Sequence, residues 1–190
     1  MKVVLSVLFL TMIFVTPVLA HPEFQRYFKE TSGRTINCAM CHVHPDGPEG
    51  LKTGQIGSLT QDQLNTLGLA RQANKPGSVV KSPILNEFGN LIVTALGKDK
   101  IMELKQSPGS LPDALSKTSD LDKDGIIDAE ELKDGTNPLN SYDGKPLKLF
   151  KINLIRNWFD LFMIVLATGF GFYGLYNLLL WLSVKAGRKE

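Results

Sequence analysis

Two cysteines and a histidine stand together at Cys38-Ala39-Met40-Cys41-His42, and the chain has no other cysteine. Thiols separated by two residues can form thioethers to the two vinyl groups of one haem. The histidine directly after the second thiol is then aimed at the iron from the proximal face. No further cysteines exist to make a disulfide framework that would absorb the pair. A second group, Asp120-Leu121-Asp122-Lys123-Asp124-Gly125-Ile126-Ile127-Asp128-Ala129-Glu130-Glu131, suits a hard cation. The carboxylates of Asp120, Asp122 and Asp124 converge because Gly125 permits a sharp turn. Ile126 offers its carbonyl, Asp128 follows, and Glu131 can bind through both oxygens, as in a twelve-residue calcium loop. Without a cation these carboxylates repel one another, whereas Ca2+ lets oxygens gather at ~2.4 Å.

An iron held through His42 has a sixth position to fill, and the ligand chosen tunes its potential. Met102 is the best placed candidate, well downstream and at a helical turn. His21 is its rival, because a residue at a mature N-terminus can fold across the distal side. An open position is the third possibility. Met40 and His44 lie too close to the proximal site to reach the other face, and a histidine followed by Pro45 suits a local hydrogen bond or the surface.

The ends of the chain speak to its compartment. Met1-Lys2, an apolar run from Val3 to Val15, and Thr16-Pro17-Val18-Leu19-Ala20 predict a secretory signal peptide over 1–20, cleaved before His21; an uncleaved anchor is the alternative. Trp158 to Val184 is almost free of charge. As a helix it would cover ~40 Å, more than the ~30 Å hydrocarbon core. Trp158 and Trp181 suit the two headgroup regions. Asn177 is expected to face a partner helix or the interface. Ala167, Gly171 and Gly174 share one helix face, where another helix could approach closely. Lys185, Arg188 and Lys189 lie beyond it, but Lys145, Lys148, Lys151 and Arg156 lie before it, so the signal peptide sets the expected arrangement of a periplasmic domain outside and a short tail inside.

Between these segments the pattern is helical. Phe24, Tyr27 and Phe28 predict a short helix from Pro22 that Gly33 ends. Thr60 could cap a helix through about Gln72, carrying Leu64, Leu67 and Leu69. Ser82-Pro83 predicts the start of a longer helix whose Leu85, Phe88, Ile92 and Leu96 form one buried face, stopped by Gly97. The segments flanking the acidic loop, Ser107 to Pro112 and Leu132 to Pro138, forbid the long helices of a calcium sensor.

Cys38-Ala39-Met40-Cys41-His42 resembles the attachment motif of c-type cytochromes, and Pro83-Ile84-Leu85-Asn86-Glu87-Phe88-Gly89 resembles a P-x-L-N-x-F-G segment downstream of that motif in exported bacterial cytochrome-like proteins. The acidic loop, with Gly135-Thr136-Asn137-Pro138-Leu139-Asn140 after it, is similar to the calcium repeats of dockerin and thrombospondin type 3 modules. The resemblance implies a mainly α protein. After the signal peptide, 21–106 would be a small cytochrome c-like helical haem domain. A short EF-hand-type calcium loop and linker would occupy 107–145, a juxtamembrane segment 146–157, one C-terminal transmembrane helix 158–184, and a cytoplasmic tail 185–190. Its cofactors would be one covalent haem c and Ca2+.

The function expected is relay of single electrons between redox protein partners or within a membrane oxidoreductase complex, with a structural calcium. A haem-based sensor with an open iron position, or a calcium-dependent assembly module without haem, would be the other classes. A formal charge of +2 argues for no nucleic-acid partner. No nucleophile triad, phosphate loop or paired carboxylates point to an enzyme.

Overall fold

The computed structural model describes residues 21–79 and 81–187. The predicted signal peptide and Arg188 and Lys189 lie outside the described residues. The protein is mainly helical, and among the described residues there is no strand, only an isolated antiparallel bridge between His42 and Leu85. The chain divides into two compact units, the first ending at Gly144 and the second beginning at Lys145.

In the first unit, α1 (Pro22–Ser32) has proline in its first turn and ends on Gly33, whose φ of 70° closes the helix onto the Lys29 carbonyl. A 3₁₀ turn over Cys38–Met40 carries the cysteine motif. Helix α2 (Gln61–Ala70) starts with a reciprocal capping box between Thr60 and Gln63. Helix α3 (Glu87–Leu104) is two helical pieces meeting at Gly97, whose φ of 71° and ψ of 160° are non-helical. A Cβ at Gly97 would stand 2.4 Å from the Asn74 carbonyl oxygen, so the break is also a close crossing of two chain segments. The short helices α4 (Leu111–Ala114) and α5 (Asp128–Asp134) flank the acidic loop.

The start of α3 departs from the sequence expectation. Pro83 does not open the helix; Asn86 does, its side chain accepting from the Gly89 amide. The Leu85 N–H closes a turn onto the Ser82 carbonyl at 3.2 Å, and the Val43 N–H pairs with the Ile84 carbonyl at 3.2 Å, so residues 83–85 turn beside the motif instead of entering the helix. Phe88, Ile92 and Leu96 are buried as the spacing predicts, while Leu85 is half-buried. On α2 only Leu67 of the three leucines is buried; Leu64 and Leu69 are exposed.

One core joins α1, α3, α4 and α5: Phe28, Ile36, Phe88, Ile92, Leu96, Leu104, Leu111, Leu115, Ala129 and Leu132. Burying a side chain such as Phe88 contributes roughly 1.5–3 kcal/mol. Two members, Ala129 and Leu132, come from α5, and α5 packs against α1 and α4. Residues 107–144 therefore share a core with the motif-bearing helices instead of forming a separate linker region. Apolar residues inside and directly after the calcium-type loop are what tie it there.

The second unit consists of α6 (Pro146–Arg156) and α7 (Trp158–Gly187). Helix α7 is long and apolar enough to cross a membrane, with mean hydropathy 1.6. At ~1.5 Å per residue it is ~45 Å long. It begins at Trp158 as predicted and continues past Val184 to Gly187, with Lys185 lying over the Trp181 ring at 4.8 Å. The Asn177 amide donates to the Tyr173 carbonyl of the same helix at 2.8 Å, which satisfies one of its donor positions. Gly171 and Gly174 present open helix surface, with nothing within 4 Å of an added Cβ.

Candidate functional site

Asn37 positions the cysteine motif from one side by accepting from the Ala39 amide at 2.9 Å and capping the 3₁₀ turn. The His42 amide closes onto the Cys38 carbonyl at 2.8 Å. From the other side the segment 84–89 grips the same loop. The Asn86 amide donates to the Ala39 carbonyl at 2.7 Å and the Met40 carbonyl at 3.1 Å, and the Asn86 backbone N–H donates to the Cys41 carbonyl at 3.1 Å. Asn90 secures the segment itself through the Ser82 and Leu85 carbonyls. Gly89 makes the approach possible: an added Cβ would lie 2.1 Å from the Cys41 carbonyl oxygen. Two stretches singled out separately in the sequence thus form one clamp.

Above this clamp lies a cavity of about 380 Å³, lined mainly by apolar side chains and open on one side. Cofactor sites commonly fall within ~300–1,000 Å³. Cys38, Cys41 and His42 line it together, with Phe24, Phe28 and Ile92 among the apolar wall. Burial, and then the neighbouring Cys38 thiol, pushes the Cys41 thiol up to about 12. Burial also raises Cys38, reinforced by Asp46. Thiols held protonated among apolar side chains are poor thiolate nucleophiles.

His42 is oriented by the Ile84 carbonyl, 3.2 Å from its Nδ1. A carbonyl can only accept, so Nδ1 carries the proton and Nε2 keeps the lone pair, the tautomer an iron ligand needs. Burial lowers the His42 pKa, against the opposing pull of the Ile84 hydrogen bond, and favours the neutral ring. The donor set, the ring orientation and the apolar wall together fit a haem attached through both sulfurs. Arg71 and Lys98 are the fixed cations on the wall, suited to hold its carboxylates.

Both sequence candidates for the sixth ligand line the cavity. Met102 is 46% exposed and sits where the cavity meets solvent. His21 lies at the head of α1, with its Nδ1 buried and without a hydrogen-bond partner, and its ring edge-on to Phe24. Burial lowers the His21 pKa, and Lys105 adds to this; Glu23 opposes, and His42 contributes a further lowering. His44 is engaged elsewhere: its Nδ1 accepts from the Asp46 amide at 3.1 Å and lies 3.3 Å from the Gln55 amide nitrogen.

In the acidic loop, Asp120, Asp122 and Asp124 bring one carboxylate oxygen each to within 4.8 Å of one another. Their outer oxygens brace the loop, accepting from the amides of Gly125, Asp124 and Ile126 respectively. Oδ1 of Asp120, Oδ2 of Asp122 and Oε2 of Glu131 are buried with no hydrogen-bond donor. Burial, then repulsion from Asp122, Asp124 and Asp128, pushes Glu131 up to about 8. Buried acceptors facing one another without donors fit a divalent cation. Asp128 differs from the other acidic residues. Its Oδ1 accepts from the Leu121 amide and its Oδ2 from the Ser119 hydroxyl, so both oxygens are used in closing the loop. Asp143 accepts from the Asn137 amide and pairs with Arg34, fastening the end of the unit beside α1.

Sequence reasoning missed Asn86 as the clamp, the Ile84 carbonyl as the His42 partner, Arg71 and Lys98 on the wall, and Leu132 as a cavity residue. Only Asn86 carried a legible signal, standing three residues before a glycine at a helix start.

A helical unit with an apolar cavity built on a C-x-x-C-H turn, followed by a helix able to serve as a membrane anchor, is the class these features define. No family model, curated protein or solved structure matches this chain.

Proposed function

We propose that this protein is an exported, membrane-tethered monohaem c-type cytochrome that relays single electrons between redox partners, with calcium in a structural role. The observation that carries this reading is that one apolar cavity gathers both cysteines with His42, whose tautomer is set by the Ile84 carbonyl. When bound, the haem would supply a reversible one-electron couple. The chain's residues hold its sulfur attachments and proximal ligand, exclude water with Phe24, Phe28 and Ile92, and leave an opening at Met102 for electron exchange. The reading is a carrier working between proteins. Helix α7 would keep it at the membrane, near a quinol-linked donor or an oxidoreductase complex.

The test is expression in bacteria that mature c-type haem, followed by denaturing electrophoresis and a haem stain. Stain that survives denaturation and is lost in Cys38→Ala/Cys41→Ala supports covalent attachment. Colourless wild-type material would refute it. Carbon monoxide binding at neutral pH by the reduced protein would instead favour a haem-based ligand sensor.

A further inference from the structure

We infer that His21, at the head of α1, is the second axial ligand of the iron, opposite His42; this rests on the haem reading above. His21 and His42 come from different elements yet line the same cavity. His21 presents a buried ring nitrogen with no hydrogen-bond partner. A buried imidazole nitrogen without a partner is costly, and a metal is one of the few groups that would satisfy it in an apolar wall. His42, by contrast, has its Nδ1 engaged by the Ile84 carbonyl, which leaves its Nε2 as the nitrogen available to a metal.

The scaffold behind His21 is firm. Phe28, two turns along α1, is 2% exposed in the core, and Gln25 ties the helix to the Ile36 carbonyl at 2.8 Å. Met102 is the competing ligand, and its side of the cavity is the wetter one: the residue is 46% exposed and needs no partner. A thioether left at the rim is an ordinary apolar contact, whereas an unmatched buried imidazole is not. Binding involves no oxidation or reduction; a neutral imidazole donates a lone pair to iron. Two imidazoles give a low-spin iron of lower potential than a His/Met pair.

The experiment is absorption and low-temperature electron paramagnetic resonance of the full chain in detergent, for wild type, His21→Ala and Met102→Ala. Wild type should be low-spin in both oxidation states, without the weak long-wavelength band of sulfur-ligated ferric iron. His21→Ala should turn the ferric iron high-spin, and added imidazole should restore the low-spin signal, which separates ligand loss from misfolding. Met102→Ala should leave the spectrum unchanged. A low-spin spectrum that survives His21→Ala overturns the assignment and leaves the haem reading intact, as does a sulfur band abolished by Met102→Ala. Absence of covalent haem in wild type overturns both.

Discussion

Replacing Asn86 tests whether the clamp, and not helix capping alone, holds the cysteine motif. Its Oδ1 caps α3 through the Gly89 amide, and its Nδ2 donates to the Ala39 and Met40 carbonyls at 2.7 and 3.1 Å. Loss of an N-cap costs about 1 kcal/mol. Each lost donation to a part-buried carbonyl costs about 0.5–1.5 kcal/mol. Asn86→Ala should therefore destabilise the first unit by about 2–4 kcal/mol. At about 4 °C per kcal/mol for a unit of this size, the melting temperature falls by about 8–16 °C. Asn86→Asp is the sharper variant. A carboxylate keeps the cap and complements the helix dipole, yet it places an oxygen against two carbonyl oxygens. It should be at least as damaging as alanine. Differential scanning calorimetry of the full chain in detergent, together with haem content per chain, reads both. If Asn86→Asp melts within a degree or two of wild type, Asn86 is only a cap and the clamp argument fails.

Gly89→Ala would force a Cβ to 2.1 Å from the Cys41 carbonyl oxygen, a backbone atom that cannot rotate away. The expected loss exceeds the ~1–3 kcal/mol of ordinary overpacking, with haem content falling in step, and normal yield of red protein would contradict the close approach. Chelating calcium should lower the melting temperature by about 10 °C, since a site saturated 100-fold above its dissociation constant contributes about 2.7 kcal/mol. An identical melt with and without chelator would remove the structural role. In the metal-free protein the raised Glu131 pKa gives stability that is fully present below about 4.5 and is lost as pH rises through about 8. The folded state binds the extra proton in that window, so stability must fall with pH. Calcium should abolish that slope, because it favours the ionised carboxylate; a metal-free melt that rises from pH 5 to pH 8 would reverse the sign.

Much of the architecture was readable because it is local. Thr60 with Gln63, Gly33 after α1, and Gly97 within α3 mark boundaries through short-range steric and hydrogen-bonding rules. The ion-type loop was legible for the same reason: its spacing brings Asp120, Asp122 and Asp124 together within a few residues. What sequence reasoning missed is non-local. Pro83 looks like a helix start until Leu85 closes a turn onto Ser82 and bridges His42, a pairing between residues far apart in the chain. Ile84 contributes a carbonyl, a group every residue carries, so nothing in its side chain announces the role. Asp128 has the residue type of a ligand, and only the folded loop reveals that its oxygens also accept from Leu121 and Ser119. Asn177 shows its polarity in the sequence, but its bond to the Tyr173 carbonyl one turn back appears only in the folded helix.

Glu131 and Leu132 are consecutive, the first within reach of the loop carboxylates and the second on the cavity wall. A single peptide unit therefore separates the carboxylates proposed to hold a cation from the wall of the cavity proposed to hold a haem. If both groups bind as proposed, the ground beneath one is the doorstep of the other, and removing the ion should be felt first at that shared step.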